Sequence, residues 1–324
     1  MMMQFYALLC VSVFAVVSLE GCVAAVNPSK PIEIKVVDED GHPVESVTVT
    51  YIFNGVTVND NVHKRAKTNQ EGIVEESGPS YFGAYIQITK DGYYKSTIDR
   101  VRDDRDAEKW SLEVVLREIR SPVAMFAKKV RSYVPAENVR VGYDLTMGDW
   151  ISPYGNGTVS HMYFTYSGTF EDYSSYEGQL QLSFSNAGDG LIEIVDPYRE
   201  LSSLKLPHEA PSRGYRETKY WTMKASKQQS ADIDSYNGEL SYYFRVNTTL
   251  DEKGNVISAN YGKIYGDIRF QLIPETQANG RGPGYVSFTY YFNPTPNDRN
   301  VEFDPTKNLL TEEVKRADWR VTEP

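Results

Sequence analysis

The sequence predicts an all-β protein built from two sandwich domains. Short segments rich in Val, Ile, Thr and Tyr recur along its 324 residues, and clusters of Gly, Asp and Asn separate them. No sustained helical period lies between these segments. Tyrosine is abundant, with 24 copies against 13 Phe and 4 Trp, and its apolar ring with a polar tip suits a half-exposed sheet face. Together these observations favour packed β-sheets in both halves of the chain.

Composition excludes two broad classes of protein. With 24% charged and 40% hydrophobic residues, the chain has the balance of a folded protein and not of a disordered one. Its formal net charge of −10 repels phosphate backbones, and no long basic stripe offsets that charge. The sequence therefore predicts no nucleic-acid partner.

An apolar, uncharged run from Phe5 to Leu19 predicts that residues 1–21 form a signal peptide. The tetrapeptide Leu19-Glu20-Gly21-Cys22 that ends it resembles the lipobox of bacterial lipoproteins. That resemblance implies cleavage before Cys22, acylation of Cys22 and an extracytoplasmic position, lipid-anchored to the bacterial membrane in the cell envelope. Two alternatives remain open: an ordinary secretory signal cut after Ala25, which would make the protein secreted, or an uncleaved anchor.

Residues 22–31 are predicted to be a short tether, and residues 32–119 the first domain. Its expected strands are Ile32–Val37, Val44–Phe53, Tyr85–Thr89 and Trp110–Leu116. The phrases VVDEDGHPVESVTV, TNQEGIV, ITKDGYYKS and LEVVL resemble, in that order, the carboxypeptidase regulatory-like (transthyretin-like, Ig-like) domain over residues 31–118. The resemblance implies a seven-stranded Ig-like sandwich without catalytic residues. Within it, Asp38-x-Asp40-Gly41 favours a hairpin turn over a calcium loop, because the later ligands of an EF-hand are missing.

The second domain is expected to cover residues 120–324, beginning near Pro122. Residues 123–133 are compatible with either a helix or a strand, and Lys128, Lys129 and Arg131 are interpreted as a solvated face. Clear strand patterns follow, at Val159–Tyr166, Gln179–Phe184, Gly190–Val195, Leu240–Val246, Ala259–Ile273 and Tyr285–Phe292. They predict a larger β-sandwich, jelly-roll-like or a partly open barrel, with a short C-terminal helix over Lys307–Trp319.

Several phrases of the second domain resemble an uncharacterised family of secreted bacterial proteins and lipoproteins. They are GYDLTMGDWISPYGNG, FSNAGDGLIEI, LKLPHEAPSRGY and YYFNPTPNDRNVEFDPTKNLL. The resemblance implies no known activity, so it supplies no catalytic residue.

No residue is assigned a catalytic role, and no metal or cofactor is predicted. The four histidines have no metal-ligand spacing, and the nucleotide and hydrolase motifs are absent from the sequence. One stretch concentrates turn glycines, acids and rings: Asp144, Asp149, Trp150 and Tyr154 are predicted to bind a ligand. In the competing interpretation Trp150 belongs to the core and the two acids cap turns.

The sequence thus favours a membrane-anchored, extracytoplasmic binding or scaffold protein with no evident catalysis. Besides the membrane, which it would reach through its lipid, its expected partner is a glycan, peptidoglycan or another protein. The alternative is a carbohydrate-binding or carbohydrate-active protein that uses an aromatic and carboxylate site, with Glu193 and Asp196 as further acids. A purely structural module is the third possibility.

Overall fold

The structure is a computed structural model that describes residues 29–55, 57–79, 83–99, 101, 109–196, 201–227, 233–273, 284–312 and 320–324. The predicted signal peptide and Cys22 lie outside these residues. In the described part, strands dominate, and a single 3₁₀ turn at Val58–Asp60 accompanies them. No helix in this part of the chain is long and apolar enough to cross a bilayer.

The first seven strands form the N-terminal sandwich. They are β1 (Ser29–Val37), β2 (Thr48–Phe53), β3 (Val62–Lys67), β4 (Ile73–Pro79), β5 (Ala84–Thr89), β6 (Ser96–Ile98) and β7 (Trp110–Val115). One sheet has the order β4-β1-β7 and the other β3-β2-β5-β6. Alternate residues of these strands point inward and form one core, drawn entirely from residues 32–116.

This sandwich confirms the fold that the sequence predicted for the first domain. The described residues of this domain form seven strands, of which β3, β4 and β6 carried too weak a pattern to be predicted individually. One boundary is corrected, because Ser29–Pro31 were assigned to the tether and instead begin β1. They pair with β4, opposite residues 77–79, so the backbone hydrogen bonds of the sheet order them.

The remaining strands form the C-terminal sandwich. They are β8 (Val123–Tyr133), β9 (Val141–Asp144), β10 (Asp149–Trp150), β11 (Met162–Asp172), β12 (Ser175–Ser183), β13 (Gly190–Val195), β14 (Thr218–Ala225), β15 (Ile233–Asp234), β16 (Leu240–Leu250), β17 (Val256–Leu272), β18 (Gly284–Asn293) and β19 (Phe303–Asn308). The front sheet has the order β10-β9-β11-β12-β14-β15, and the central sheet β13-β16-β17-β18-β8-β19. The two are separate, so this domain is a sandwich and not a closed barrel.

The central sheet is buried on both faces. Its inner face packs on the front sheet around Phe164, Phe244 and Phe288, and its other face packs on loops around Tyr243 and Tyr291. Consecutive residues of β16, from Ser241 to Val246, are therefore all buried instead of alternating. This corrects the expected role of tyrosine as a half-exposed residue, since several rings are fully buried: Tyr51, Tyr143, Tyr166, Tyr242, Tyr243, Tyr290 and Tyr291.

Two ambiguous segments are settled by pairing. Residues 123–133 form strand β8, which lies between β18 and β19 in the central sheet. The predicted C-terminal helix is wrong at its start, because Lys307 and Asn308 belong to β19. The Asn308 side chain explains this, since it donates to the Ala127 carbonyl at 2.8 Å and holds the segment against β8. Residues 313–319 of that predicted helix lie outside the described part.

A buried polar network joins the two sandwiches. The Glu302 carboxylate, 1% exposed, accepts hydrogen bonds from the Tyr94 hydroxyl at 2.7 Å and from the backbone N–H of Ser121 at 2.7 Å. Beside it the Arg117 guanidinium pairs with Asp196 at 2.7 Å. Because a buried charge without a partner is costly, this network fixes where the N-terminal sandwich sits on the C-terminal one.

Candidate functional site

The carboxylate of Asp144 organises the loop that follows β9. It is fully buried, and one oxygen accepts from the backbone N–H and hydroxyl of Thr146 at 2.8 and 2.6 Å. The other oxygen accepts from the backbone N–H groups of Thr158 and Val159 at 2.9 and 3.0 Å. Burial raises the pKa of Asp144, but these hydrogen bonds outweigh burial and lower the pKa to about 2. Asp144 is thus an ionised loop brace.

Trp150 lies in the core between the two sheets. Trp150 is only 4% exposed. Its ring packs edge-on against the rings of Tyr143 and Phe164, at centroid distances of 5.1 and 5.5 Å. The indole N–H donates to the Ser132 hydroxyl of β8 at 2.9 Å. A buried indole needs such an acceptor, so Trp150 ties the front sheet to the central sheet.

Asp149 braces the turn that follows β10. One oxygen accepts from the backbone N–H of Trp150 at 2.8 Å, and the other accepts from the backbone N–H of Asn156 at 2.8 Å. Gly155 sits so close that a Cβ there would lie 2.6 Å from an Asp149 oxygen, which explains a glycine at this position. Tyr154 projects from the same turn and is 44% exposed.

The four predicted ligand-binding residues therefore do come together on one loop. The oxygens of both acids accept hydrogen bonds from the loop itself, and most of the Trp150 ring is covered. Their contacts are those of turn braces and a core ring, as the competing interpretation of the sequence expects. Ligand binding by these residues stays a prediction, and among them Asp149 and Trp150 also border open space.

That space is a cavity of about 500 Å³ between the end of β8 and the β9–β10 loop. Its lining residues include Trp150, Asp149 and Asn156. Two cationic residues of β8, Lys128 and Arg131, complete it. Tyr154 is not among the lining residues. The cavity thus combines aromatic, polar and charged residues, as ligand sites commonly do.

Lys128 is the residue of this site that sequence reasoning missed. It was interpreted as part of a solvated basic face, yet it is half-buried and donates to the Gly148 carbonyl. Burial lowers the pKa of Lys128, and the nearby Asp149 charge opposes that shift. If residues 123–133 are a strand, residues 126, 128 and 130 lie on the same side of it, which would have indicated that Lys128 is partly buried. The sequence alone did not decide between a strand and a helix for this segment. Lys129 and Arg131 are exposed, as expected.

The two further acids considered for glycoside hydrolysis lie elsewhere. Glu193 is exposed on β13 and pairs with Lys219 at 2.7 Å. Asp196 is buried in the junction with Arg117. Neither lines the cavity beside Asp149. The structure therefore brings together only Asp144 and Asp149 of the four acids.

Asp38, Asp40 and His42 bring three side-chain ligand atoms within 4.8 Å of one another. The Asp38 carboxylate accepts from the backbone N–H of Asp40 at 2.9 Å and of His42 at 2.8 Å. Gly41 adopts a φ of +83° between them. These contacts are those of the predicted hairpin turn, in which an aspartate caps its own loop.

Comparisons with known proteins give structural similarity only. No family model matches the chain, and no curated protein matches its sequence. Among solved structures, 3-chlorocatechol 1,2-dioxygenase from Rhodococcus opacus is 15% identical with a TM-score of 0.23, and the match covers 29% of this chain and 60% of the enzyme. BcpA, the major pilin subunit of Bacillus cereus, is 12% identical with a TM-score of 0.23, over 80% of this chain and 95% of the pilin.

A third similar structure is a candidate carbohydrate-binding protein from Bacteroides uniformis. It is 10% identical with a TM-score of 0.19, over 82% of this chain and 98% of that protein. At these scores and identities the similarities assign neither a family nor an activity to this chain. The family resemblances of both domains accordingly remain expectations from sequence, and what the structure itself shows is two successive β-sandwiches.

Proposed function

We propose that this protein is a binding or scaffold protein of the bacterial cell envelope, anchored through a lipid on Cys22, and that its C-terminal sandwich binds a ligand in the cavity beside Trp150. One observation carries the binding proposal: a cavity of about 500 Å³ whose lining residues include Lys128, Arg131 and Trp150. The N-terminal sandwich then acts as a rigid spacer between the anchor and this cavity.

The lining selects the class of ligand. The lining carries two cationic residues, Lys128 and Arg131, against one acid, Asp149. This excess of positive charge favours a ligand with carboxylates, because charge-assisted hydrogen bonds are stronger than neutral ones. The amide of Asn156 and the edge of Trp150 suit hydroxyl groups and the apolar face of a sugar. A glycan that bears carboxylates, such as a peptidoglycan fragment with its peptide stem, combines both features and is reachable from an envelope anchor.

Binding of soluble muropeptides, measured by calorimetry, tests this function. Arg131→Ala removes an exposed cation of the cavity and should weaken binding about threefold to tenfold, since a part-exposed charge pair contributes modestly. Lys129→Ala is the matched control, because Lys129 is the exposed neighbour on β8 that does not line the cavity. Muropeptides with amidated carboxylates should bind the parent protein more weakly than the native fragments.

Two results would contradict the proposal. If Lys129→Ala weakened binding as much as Arg131→Ala, the attraction would be a general effect of charge and not a property of the cavity. If neither native nor amidated muropeptides bound at all, the cavity would not be a peptidoglycan site, and the scaffold role would stand alone.

A further inference from the structure

The outward face of the front sheet has an unusual composition for a solvent-facing sheet. Six uncharged side chains with amide or hydroxyl groups occupy adjacent positions on β11, β12 and β14. They form the amide–hydroxyl face: Thr165, Ser167, Gln179, Gln181, Tyr220 and Thr222. The residues between each pair on these strands, Tyr166, Leu180 and Trp221, are buried, so the alternation of the strands places this set outside.

Strand register arranges these side chains in two rows across the sheet. Thr165 lies opposite Gln181, which lies opposite Tyr220. In the second row Ser167 lies opposite Gln179, which lies opposite Thr222. Neighbouring strands are roughly 4.8 Å apart, so each row presents a line of hydrogen-bonding groups at regular intervals.

The side chains of this face are at least partly exposed to solvent, and several have hydrogen-bonding groups that no other described residue uses. The Tyr220 residue is 50% exposed, and Gln179 is exposed as well. Within the described part of the chain, no hydrogen bond is made by the side chains of Gln179, Gln181 or Tyr220. A groove of about 620 Å³ runs over one end of the face, and Ser167, Gln179 and Thr222 are among its lining residues.

Charged residues stand at the margins of the face and make local contacts there. At one end Glu177 pairs with Lys224 at 2.7 Å. At the other the Arg140 guanidinium lies over the Tyr163 ring, 3.6 Å from its centroid, and donates to the Phe184 carbonyl. The exposed faces of the N-terminal sandwich differ, since they carry ion pairs such as Lys35–Glu113. In a chain of net charge −10, this uncharged face is a local exception.

We infer that the amide–hydroxyl face is a second binding site, which takes a neutral polysaccharide. Amide and hydroxyl groups both donate and accept hydrogen bonds, as sugar hydroxyls do. Tyr220 offers a ring for stacking against a pyranose. The six side chains of the face carry no charge, which suits a ligand without charge, and the scarcity of aliphatic side chains is unlike the apolar centre of a protein interface. This site is independent of the cavity beside Trp150.

Affinity gel electrophoresis of the full chain tests the inference, with hydroxyethylcellulose, arabinoxylan, pullulan and galactomannan as probes. At least one of these polymers should retard the parent protein. Tyr220→Ala and the double variant Gln179→Ala/Gln181→Ala should each weaken that retardation about tenfold, through the loss of stacking or of two hydrogen bonds. Gln271→Ala is the matched control, because Gln271 is an exposed glutamine on β17 of the central sheet.

Salt gives an independent readout. Binding of a neutral polymer should be unchanged when the salt concentration rises, whereas binding of carboxylated muropeptides in the cavity should weaken. Arg131→Ala should leave polysaccharide retardation intact, so each site can fail without the other. The inference is overturned if none of the four polymers retards the protein, or if the variants of the face are retarded as strongly as the parent and Gln271→Ala.

Discussion

Truncation of the buried indole, Trp150→Ala, should destabilise the C-terminal sandwich strongly. The residue is 4% exposed and its ring contacts Tyr143 and Phe164. Removal of a buried aromatic ring costs about 3–5 kcal/mol, because the surrounding core cannot close the space. The Ser132 hydroxyl would also lose the hydrogen bond that it accepts from the indole at 2.9 Å. For a unit of about 200 residues, the expected decrease in melting temperature is roughly 6–20 °C.

Differential scanning calorimetry of the full chain measures this effect. Tyr154→Ala is the matched control, since it removes an aromatic ring from the same loop that is 44% exposed, and its melting temperature should lie within about 2 °C of the parent value. If Trp150→Ala melted together with the parent protein, the indole would not be a core residue and the packing described here would be wrong.

Three further predictions concern the anchor, the junction and the acid side of the stability profile. Cys22→Ala should move the protein from the membrane to the soluble fraction, and intact-mass spectrometry of the parent should show a diacylglycerol adduct on Cys22. Residues 26–119, whose core is self-contained, should unfold cooperatively when expressed alone, with a β-type circular dichroism spectrum. Asp144→Asn should destabilise the protein at pH 7 and flatten its stability profile between about pH 4 and pH 2. The reason is that the folded protein lowers the pKa of Asp144 to about 2. The ionised carboxylate therefore stabilises the fold above the ordinary pKa of an aspartate, and this contribution is lost as the pH falls toward 2.

Each of these has an outcome that contradicts it. A parent protein that is soluble, unlipidated and begins at Val26 would show plain secretion. An unfolded fragment 26–119 would show that the polar junction around Glu302 is needed for the N-terminal sandwich to fold. Parallel acid profiles for Asp144→Asn and the parent would show that the hydrogen bonds to Asp144 do not lower its pKa.

Strands bounded by strong turn formers were predictable from sequence. The limits of β13, Gly190–Val195, were predicted without error, because Gly188 and Asp189 precede it and Asp196 with Pro197 follow it. The turn at 251–255 was predicted for the same reason, and Asp251 caps it through hydrogen bonds from Lys253 and Asn255. Local chemistry decides such features, so a local pattern predicts them.

Features that depend on long-range pairing were not predictable. The pattern of β8 is blurred because the central sheet is covered on both faces near Met125 and Ala127, so Lys128 did not stand out as a half-buried residue. The rows of the amide–hydroxyl face exist only through the register of β11, β12 and β14. The burial of Trp150 could not be predicted either, because its sequence neighbours are compatible with both an exposed loop and a buried core position.

The position of β1 determines how the molecule would respond to mechanical load. This strand is the middle one of its sheet, with β4 antiparallel on one side and β7 parallel on the other. A pull on the N-terminal end, along the strand, stretches both rows of backbone hydrogen bonds together instead of opening them one after another. Rupture then requires many bonds to break at once, so the N-terminal sandwich should resist a pull applied along its first strand.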